Sequence, residues 1–513
     1  MSISLQQRPP VLPVHRTAAK RRSFDPVVVA AVAVGISAAG AARPSLWFDE
    51  AATISASTRS AAQLWRMVGN IDAVHGLYYL LMRGWYAVFP ATEFGSRLSS
   101  ALAVGLAAAG VVVLGRQIST RTVAVAAGLV FAVLPRVTWA GMETRSYALS
   151  MAAAVWLTVF CVLAARRGRP WWWLAYALLL ASATLLNVFL LLIVPAHAVA
   201  VALAGSTPRD IRLWAAAATG AATAVTPFLM FTQSQLFQVR WIAQLGSHTV
   251  GEVLEKQYFD RSLPAALGAG AILLAALVCG SWPATGRPGR LLPVLALTWI
   301  AVPTATLLAY SALRNPIYYP RYLSFTAPAF ALLLGLCIVA LARSRIGVAV
   351  VLACFAVAAT PNYLAQRGPY AKENMDYSAV ADVIDRNAAP GDCLVLDNSA
   401  AWKPGPIRPL TAARPDVYRK LRDHGRGRTA LQRERLWDGH VAVWAWADAM
   451  PGCPALWTVT ERDPRMPEHQ RGPALPPGPR LGRAMAYQVP SRFGFHVVER
   501  WQFSFAQVTK SVR

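Results

Sequence analysis

The sequence predicts a multispan α-helical membrane protein, with about eleven transmembrane helices and a small C-terminal α/β extracytoplasmic domain. Three observations predict it. The 513-residue chain is 55% hydrophobic and only 15% charged, with a mean hydropathy of +0.38; ordinary globular chains carry roughly 25% charged residues. Apolar runs of spanning length recur between residues 26 and 360. After about 361 the composition changes: the 153 residues 361–513 carry 22 basic and 15 acidic side chains and many prolines. A cytosolic globular protein, a disordered chain and a small disulfide-framed protein are excluded.

Residues 1–25 are a basic, cytoplasmic N-terminus (Arg8, Arg16, Lys20, Arg21, Arg22). The run 26–46 is long for a signal peptide and is read as an uncleaved first span. Further spans are expected at about 97–115, 122–139, 147–165, 171–186, 188–204, 213–231, 264–280, 291–310, 322–341 and 346–360. Together, 26–360 form one transmembrane domain with two long outer loops, 47–96 and 232–263. Within the first, Leu77 to Phe89 is aromatic and amphipathic but too short to span, and reads as an interfacial helix.

Charge orients these spans. The net charge is +25, and 44 of the 50 basic residues are Arg. A basic protein of this kind could bind nucleic acid, but here the charges flank apolar runs. Arg116/Arg121, Arg166/Arg167/Arg169, Arg209/Arg212, Arg287/Arg290 and Arg343/Arg345 all fall in short connections on one side, as the positive-inside rule requires. Eight of the ten acidic residues before 361 fall on the other side: Asp49, Glu50, Asp72, Glu93, Glu143, Glu252, Glu255 and Asp260. No nucleic-acid partner is expected. An odd span count puts the tail outside, in a plasma membrane with a cytoplasmic N-terminus.

In the tail, 376–387 reads as a helix, Cys393–Leu396 and 455–459 as buried strands, and the Pro/Arg/Gly-rich 462–484 as loop. No nucleotide-binding fingerprint occurs. Of six cysteines, Cys161, Cys279, Cys337 and Cys354 lie in apolar runs, where Cys behaves as a small hydrophobe. Cys393 and Cys453 could pair if the tail meets an oxidising compartment.

The candidate chemistry sits at the outer ends of spans. Asp49-Glu50 follows span 1. It is either a hydrophilic stop or a base and ligand pair, and adjacent helical residues point about 100° apart, so the two have different jobs. His75 and Tyr78 enter the interfacial segment; a lone His is more often a surface or capping residue than a ligand. Glu143 and Arg145 open span 4 and could be solvated loop charges. Asn187 lies at the outer turn between spans 5 and 6 as a cap or a sugar contact. Arg321 and Tyr322 precede span 10. They are either an interface belt with a snorkelling Arg or a phosphate clamp, since Arg offers a planar fork to phosphate oxygens. Arg97 and Arg240-Trp241 are weaker candidates, and His197 could be a satisfied core residue. One site at the lipid–water boundary suits a substrate with a greasy tail and a polar head.

These motifs together resemble the GT-C superfamily of integral-membrane glycosyltransferases, nearest its protein O-mannosyltransferase and aminoarabinose-transferase branch. The carrying residues are Trp47-Phe48-Asp49-Glu50, His75-Gly76-Leu77-Tyr78-Tyr79, Phe94-Gly95-Ser96-Arg97, Glu143-Thr144-Arg145-Ser146-Tyr147 and Pro320-Arg321-Tyr322. This chain has His-Gly-Leu where the family often has His-Pro-Pro. The Arg- and Ala-rich composition suggests a GC-rich, actinobacterial genome. The resemblance implies an inverting transfer of a sugar, mannose or else arabinose, from a polyprenyl-phosphate donor to a cell-envelope glycan, glycolipid or protein acceptor on the outer face. Asp49 would be the catalytic base. Arg321, Tyr322 and Arg145 would bind the donor phosphate, and Glu50, His75, Tyr78, Glu143 and Asn187 would orient substrates. Metal use varies within the superfamily, and Asp49, His75 and Glu143 are the residues that would hold a divalent ion. The rival from another class is a multispan lipid or polysaccharide transporter. That rival expects charges at mid-membrane and internal repeats, neither of which the sequence displays.

Overall fold

A computed structural model describes residues 24–280, 287–397 and 408–513. The basic N-terminus before residue 24 lies outside the described residues. Among the described residues, six helices are long and apolar enough to cross a membrane. They become seven if the bent pair His248–Phe259 and Leu263–Val278 is one span, its halves meeting at 91°. Four shorter apolar helices, Asp25–Ala38, Arg121–Val133, Pro170–Leu186 and Val188–Leu203, lie among them. The expectation of about eleven treated every such segment as a span; length singles out six or seven.

The outer-loop helices position the site. After α1 (Asp25–Ala38) a turn leads to α2 (Phe48–Ser57), α3 (Ala61–Val68) and α4 (Gly76–Tyr86). So 26–46 is not one continuous helix: Gly40 takes a left-handed φ of 74° and the chain turns there. The Ser60 hydroxyl and Gln63 side chain form a capping box that starts α3. Trp65, Leu80, Leu81 and Val88 point outward, as expected of helices lying on a membrane surface.

α5 (Glu93–Ile118), α6 (Arg121–Val133), α7 (Pro135–Ala140) and α8 (Tyr147–Arg167) form the bundle beneath. The expected single span 122–139 breaks at Leu134, because Pro135 has no N–H to continue the ladder. Small residues let these helices meet closely: a Cβ on Gly115 would lie within 2.9 Å of Ala124, and one on Gly335 within 2.9 Å of Ala127. The bent pair turns at Asp260 and Arg261, both at positive φ.

The tail carries one five-stranded sheet. Its strands are β1 (Cys393–Leu396), β2 (Leu456–Glu461), β3 (His469–Leu475), β4 (His496–Gln502) and β5 (Ala506–Val512), in the order β1-β2-β5-β4-β3. β1 and β2 are parallel, with Cys393 opposite Leu456; the other pairs are antiparallel. β3 corrects the reading of 462–484 as loop. It is a half-exposed edge strand with Gly472 and Pro473 inside it, so it lacks the buried alternation that marks a strand in sequence. The helix Tyr377–Asn387 packs on the sheet, and the Asp376 carboxylate accepts the backbone N–H groups of Phe505 (2.7 Å) and Ala506 (2.8 Å). Cys393 and Cys453 are disulfide-bonded, with Cα atoms 5.6 Å apart.

The tail is docked on the outer helices by polar pairs. Leu46 N–H donates to the Ser378 hydroxyl (2.9 Å), and Ser378 N–H donates to the Ser45 hydroxyl (2.8 Å). Arg414 pairs with Glu93 at 2.7 Å, and Leu436 packs against α2 and α3.

Candidate active site

Asp49 lies in the first turn of α2, one residue from Glu50, and the helical angle between them separates their fates. Asp49 Oδ1 accepts a hydrogen bond from Arg145 Nη2 at 3.1 Å, and Oδ2 lies 3.3 Å from Arg321 Nη2. The carboxylate is 9% exposed. Burial pushes its pKa up, but Arg145 and Arg321 outweigh that and hold it below the usual carboxylate value.

Glu50 faces the other way. Its two oxygens accept from Arg97 Nε (2.8 Å) and Nη2 (2.6 Å), and Oε1 also accepts from the Thr144 N–H and hydroxyl, each at 3.2 Å. The remaining Arg97 donors go to the carbonyls of Ala41, Pro44 and Ser45. Both side chains are fully buried. Glu50 therefore braces the turn before α2 against α5, which corrects its reading as a substrate-orienting group: no oxygen is free to meet a ligand. Arg97, the weaker candidate, has the same structural role.

Glu143 is likewise engaged. Its Oε1 accepts from Trp47 Nε1 at 2.8 Å and its Oε2 from Lys372 Nζ at 2.5 Å. Burial raises its pKa and Lys372 opposes the rise. Lys372 also lies over the Trp139 ring at 4.9 Å. Asn187 caps the following turn: its Oδ1 accepts from Phe189 N–H at 3.0 Å and its Nδ2 donates to the Ser150 hydroxyl at 3.3 Å. The cap is thus one of the two roles that the sequence allowed it, and the second N–H of Nδ2 is not used by it. His197 is satisfied by Tyr176 (2.8 Å) and Thr158 (3.0 Å).

Other candidates stay open toward the site. Arg321 is caged by Tyr319 (4.8 Å), Trp47 (5.5 Å) and Trp241 (5.7 Å). Tyr322 stacks on Phe189 at 5.9 Å and flanks the same wall. His75 packs on Tyr79 at 5.9 Å. Burial first, then Arg145, push its imidazole down to about 4, so it is neutral at ordinary pH. His75 Nδ1, the Tyr78 hydroxyl, Arg145 Nε and Arg321 Nε are buried without a hydrogen-bond partner. Buried polar atoms left this way around one carboxylate mark a place for a ligand.

Beside Arg321 opens a cavity of about 250 Å³. Arg136, Lys256, Arg261, Arg321 and Lys372 line it, against the acids Glu252, Asp260 and Glu373. A larger cavity of about 650 Å³ lies wholly within the tail, between Asp397, Glu461, Asp463, Arg465 and Arg480. The smaller one is the better substrate site, because it shares Arg321 with Asp49.

The arrangement does not fit a metal at Asp49, His75 and Glu143. Both Asp49 oxygens face guanidinium groups, and both Glu143 oxygens are already bonded. Among the described residues, the three ligand-type side chains that gather within 4.8 Å are Cys393, His424 and Cys453, two of which form the disulfide.

Sequence reading missed Lys372, Tyr79 as a separate participant, and Trp47. Lys372 carried one signal: it is an isolated Lys in an Arg-rich chain, just past the last apolar run. Tyr79 lies four residues after His75 on α4, the spacing that stacks side chains on one face.

Residues 77–231 match the family model described as Dolichyl-phosphate-mannose-protein mannosyltransferase. No curated protein matches the sequence. By fold, the chain is similar to ArnT from Cupriavidus metallidurans in the apo state, with a TM-score of 0.52, 15% identity, and 94% of this chain and 97% of that one covered. The same protein bound to undecaprenyl phosphate gives a TM-score of 0.51 and 14% identity over the same coverage. The arabinofuranosyltransferase AftD from Mycobacteria aligns over 97% of this chain but 40% of its own, with a TM-score of 0.47 and 17% identity. The fold of the described residues, with its long apolar helices, is thus that of the ArnT structures, which it matches over nearly the whole of both chains.

Proposed function

We propose that the chain is an inverting, polyprenyl-phosphate-dependent glycosyltransferase. It moves a sugar, with mannose the first candidate, to a cell-envelope glycan, glycolipid or protein on the outer face of the membrane. The observation that carries this reading is Asp49 held between Arg145 and Arg321 beside a cationic cavity. The family match over 77–231 supports mannose, and the similar ArnT structure contains undecaprenyl phosphate.

The chemistry needs three things at one place. An acceptor hydroxyl must lose its proton, and Asp49 is the carboxylate to take it. The hydroxyl oxygen bonds to the anomeric carbon as the carbon–phosphate oxygen bond breaks on the opposite face, so configuration inverts. The departing polyprenyl phosphate gains negative charge, and Arg321 is the fork to receive it. A base clamped by two cations is a weak one. Donor phosphate relieves this by drawing Arg321 off Asp49 and freeing one oxygen for the acceptor. The aromatic cage keeps the guanidinium near both positions. Tyr322 and Arg145 complete the phosphate side, and His75 and Tyr78 offer polar atoms to sugar hydroxyls. No step is assigned to a metal.

The side of the membrane follows from the same reading. The tail docks onto the helices that carry Asp49, and its disulfide belongs in an oxidising compartment. Both observations support a reading with tail and site on the outer face, and the positive-inside pattern of the sequence supports a cytoplasmic N-terminus.

The test is sugar transfer in membranes given labelled polyprenyl-phosphate mannose, comparing wild type with Asp49→Asn at equal expression. Transfer lost in the variant supports the base. Equal transfer in both removes Asp49 from the mechanism. Transfer only with polyprenyl-phosphate arabinose changes the sugar, and no transfer from either donor overturns the proposal.

A further inference from the structure

Arg145 is itself held by a chain of side chains that has no part in the proposed transfer. Its Nη2 serves Asp49, and its Nη1 donates to the Tyr79 hydroxyl at 2.8 Å. That hydroxyl accepts from Arg145 in a fixed direction because its own proton goes to Asp72 Oδ2, at 2.6 Å. Asp72, Tyr79 and Arg145 are all buried.

Asp72 is placed at a cost. Its backbone is left-handed, with φ 59° and ψ 30°, a conformation that L side chains rarely adopt and Asp tolerates better than most. Two glutamines just past the helix Pro208–Gln233 secure it. Gln238 Oε1 accepts Asp72 N–H at 3.2 Å and Gln235 Oε1 accepts Ala73 N–H at 2.9 Å, while Gln235 Nε2 donates to the Val68 carbonyl at 3.0 Å. The second outer loop thus holds the first in the shape that presents Asp72 to Tyr79.

We propose that Asp72 and Tyr79 are positioning residues that aim the Arg145 fork at Asp49, with Gln235 and Gln238 fixing the turn that carries them. Tyr79 is faced by Asp72, Arg145, His75, Tyr78 and Arg59; Asp49 is faced by Arg145, Arg321, His75, Glu143, Tyr147, Tyr322 and Tyr377. With the Tyr79 hydroxyl removed, Arg145 loses one of its two anchors. Its hold on Asp49 loosens, and the carboxylate becomes easier to protonate. The kinetic part of this inference rests on Asp49 as the base; the aim of Arg145 does not.

The experiment uses the full-length protein in detergent or nanodiscs and follows the Asp49 carboxyl by infrared difference against Asp49→Asn as pH is lowered. In Tyr79→Phe, and in Asp72→Asn, the protonation midpoint is expected to rise by about one unit, a tenfold gain in proton affinity. The acid limb of kcat/KM should move with it. A role in folding alone would lower the unfolding temperature and leave the midpoint in place. Asp72→Asn keeps the shape of the turn and serves if Tyr79→Phe does not fold. A midpoint unchanged in either folded variant overturns the proposal, as does a loss of activity without a shift. If the wild type transfers no sugar from any polyprenyl phosphate, the enzyme reading fails and the infrared titration still decides the aim of Arg145.

Discussion

Glu50 and Arg97 form a two-point ion pair with no exposed surface, one residue away from the carboxylate assigned to catalysis. Adjacent acids thus divide into a brace, Glu50, and the proposed base, Asp49. Removing one partner of such a pair leaves a buried charge and costs about 3–5 kcal/mol. Glu50→Gln is expected to lower the thermal unfolding temperature strongly and to reduce the yield of folded protein. Asp49→Asn, which leaves the pair intact, should unfold much closer to wild type. Tryptophan fluorescence on heating compares them.

The pH dependence of Asp49 has a fixed sign. Its folded pKa lies below the ordinary aspartate value of 3.8 because Arg145 and Arg321 outweigh burial. The stability that its ionised form contributes is present above 3.8 and is lost as pH falls through the lower folded value. Activity that requires the ionised base should therefore show no acid limb from Asp49 above that value. A pH–rate profile of kcat/KM checks this, and an acid limb near neutrality that disappears in an Asp49 variant would contradict it.

Lys372 and Glu143 tie the start of the tail to the loop before α8. Lys372→Met leaves Glu143 buried with Trp47 as its remaining side-chain partner. The expected loss is again about 3–5 kcal/mol. Pairing it with Glu143→Gln should recover part of that loss, because the stranded charge is gone. A double-mutant cycle on unfolding temperature reads the coupling; additive losses would mean the pair is not coupled.

The Cys393–Cys453 bond closes 60 residues of chain between β1 and the segment before β2. Loop-closure entropy assigns it about 4 kcal/mol. The double Ala variant should unfold the tail at lower temperature. In intact cells, a maleimide that cannot cross the membrane should label neither cysteine before reduction and both after it. Labelling without reduction would mean that the bond is not formed, and no labelling even after reduction would count against a tail on the outer face.

The sequence made some things legible because they depend on local pattern. Apolar runs placed the helices Tyr147–Arg167 and Arg345–Ala365 to within a few residues, since hydropathy and length decide them. The helix Tyr377–Asn387 and strand β1 were readable from periodicity and flanking turns. Where Pro135 broke a run, or where β3 formed an exposed edge, the pattern was silent. A helix broken by one proline and a strand without a buried face both lack the period that sequence reading uses.

Order and sidedness of short motifs brought Asp49, Glu143, Arg145 and Arg321 into one candidate group, and the tertiary structure brings the same residues together. Which of them meet a ligand and which hold the wall was decided only by packing. Glu50 is polar and lies one residue from Asp49, yet Arg97, supplied from another helix, takes up both of its carboxylate oxygens. Lys372, more than two hundred residues after Glu143, and Asp72, set by glutamines of a different loop, enter the site through contacts that no local pattern encodes. Composition and periodicity determine that this chain forms apolar helices long enough to cross a membrane. The different partners of these neighbouring carboxylates depend on which charges lie within about 4 Å, and only the fold sets those distances.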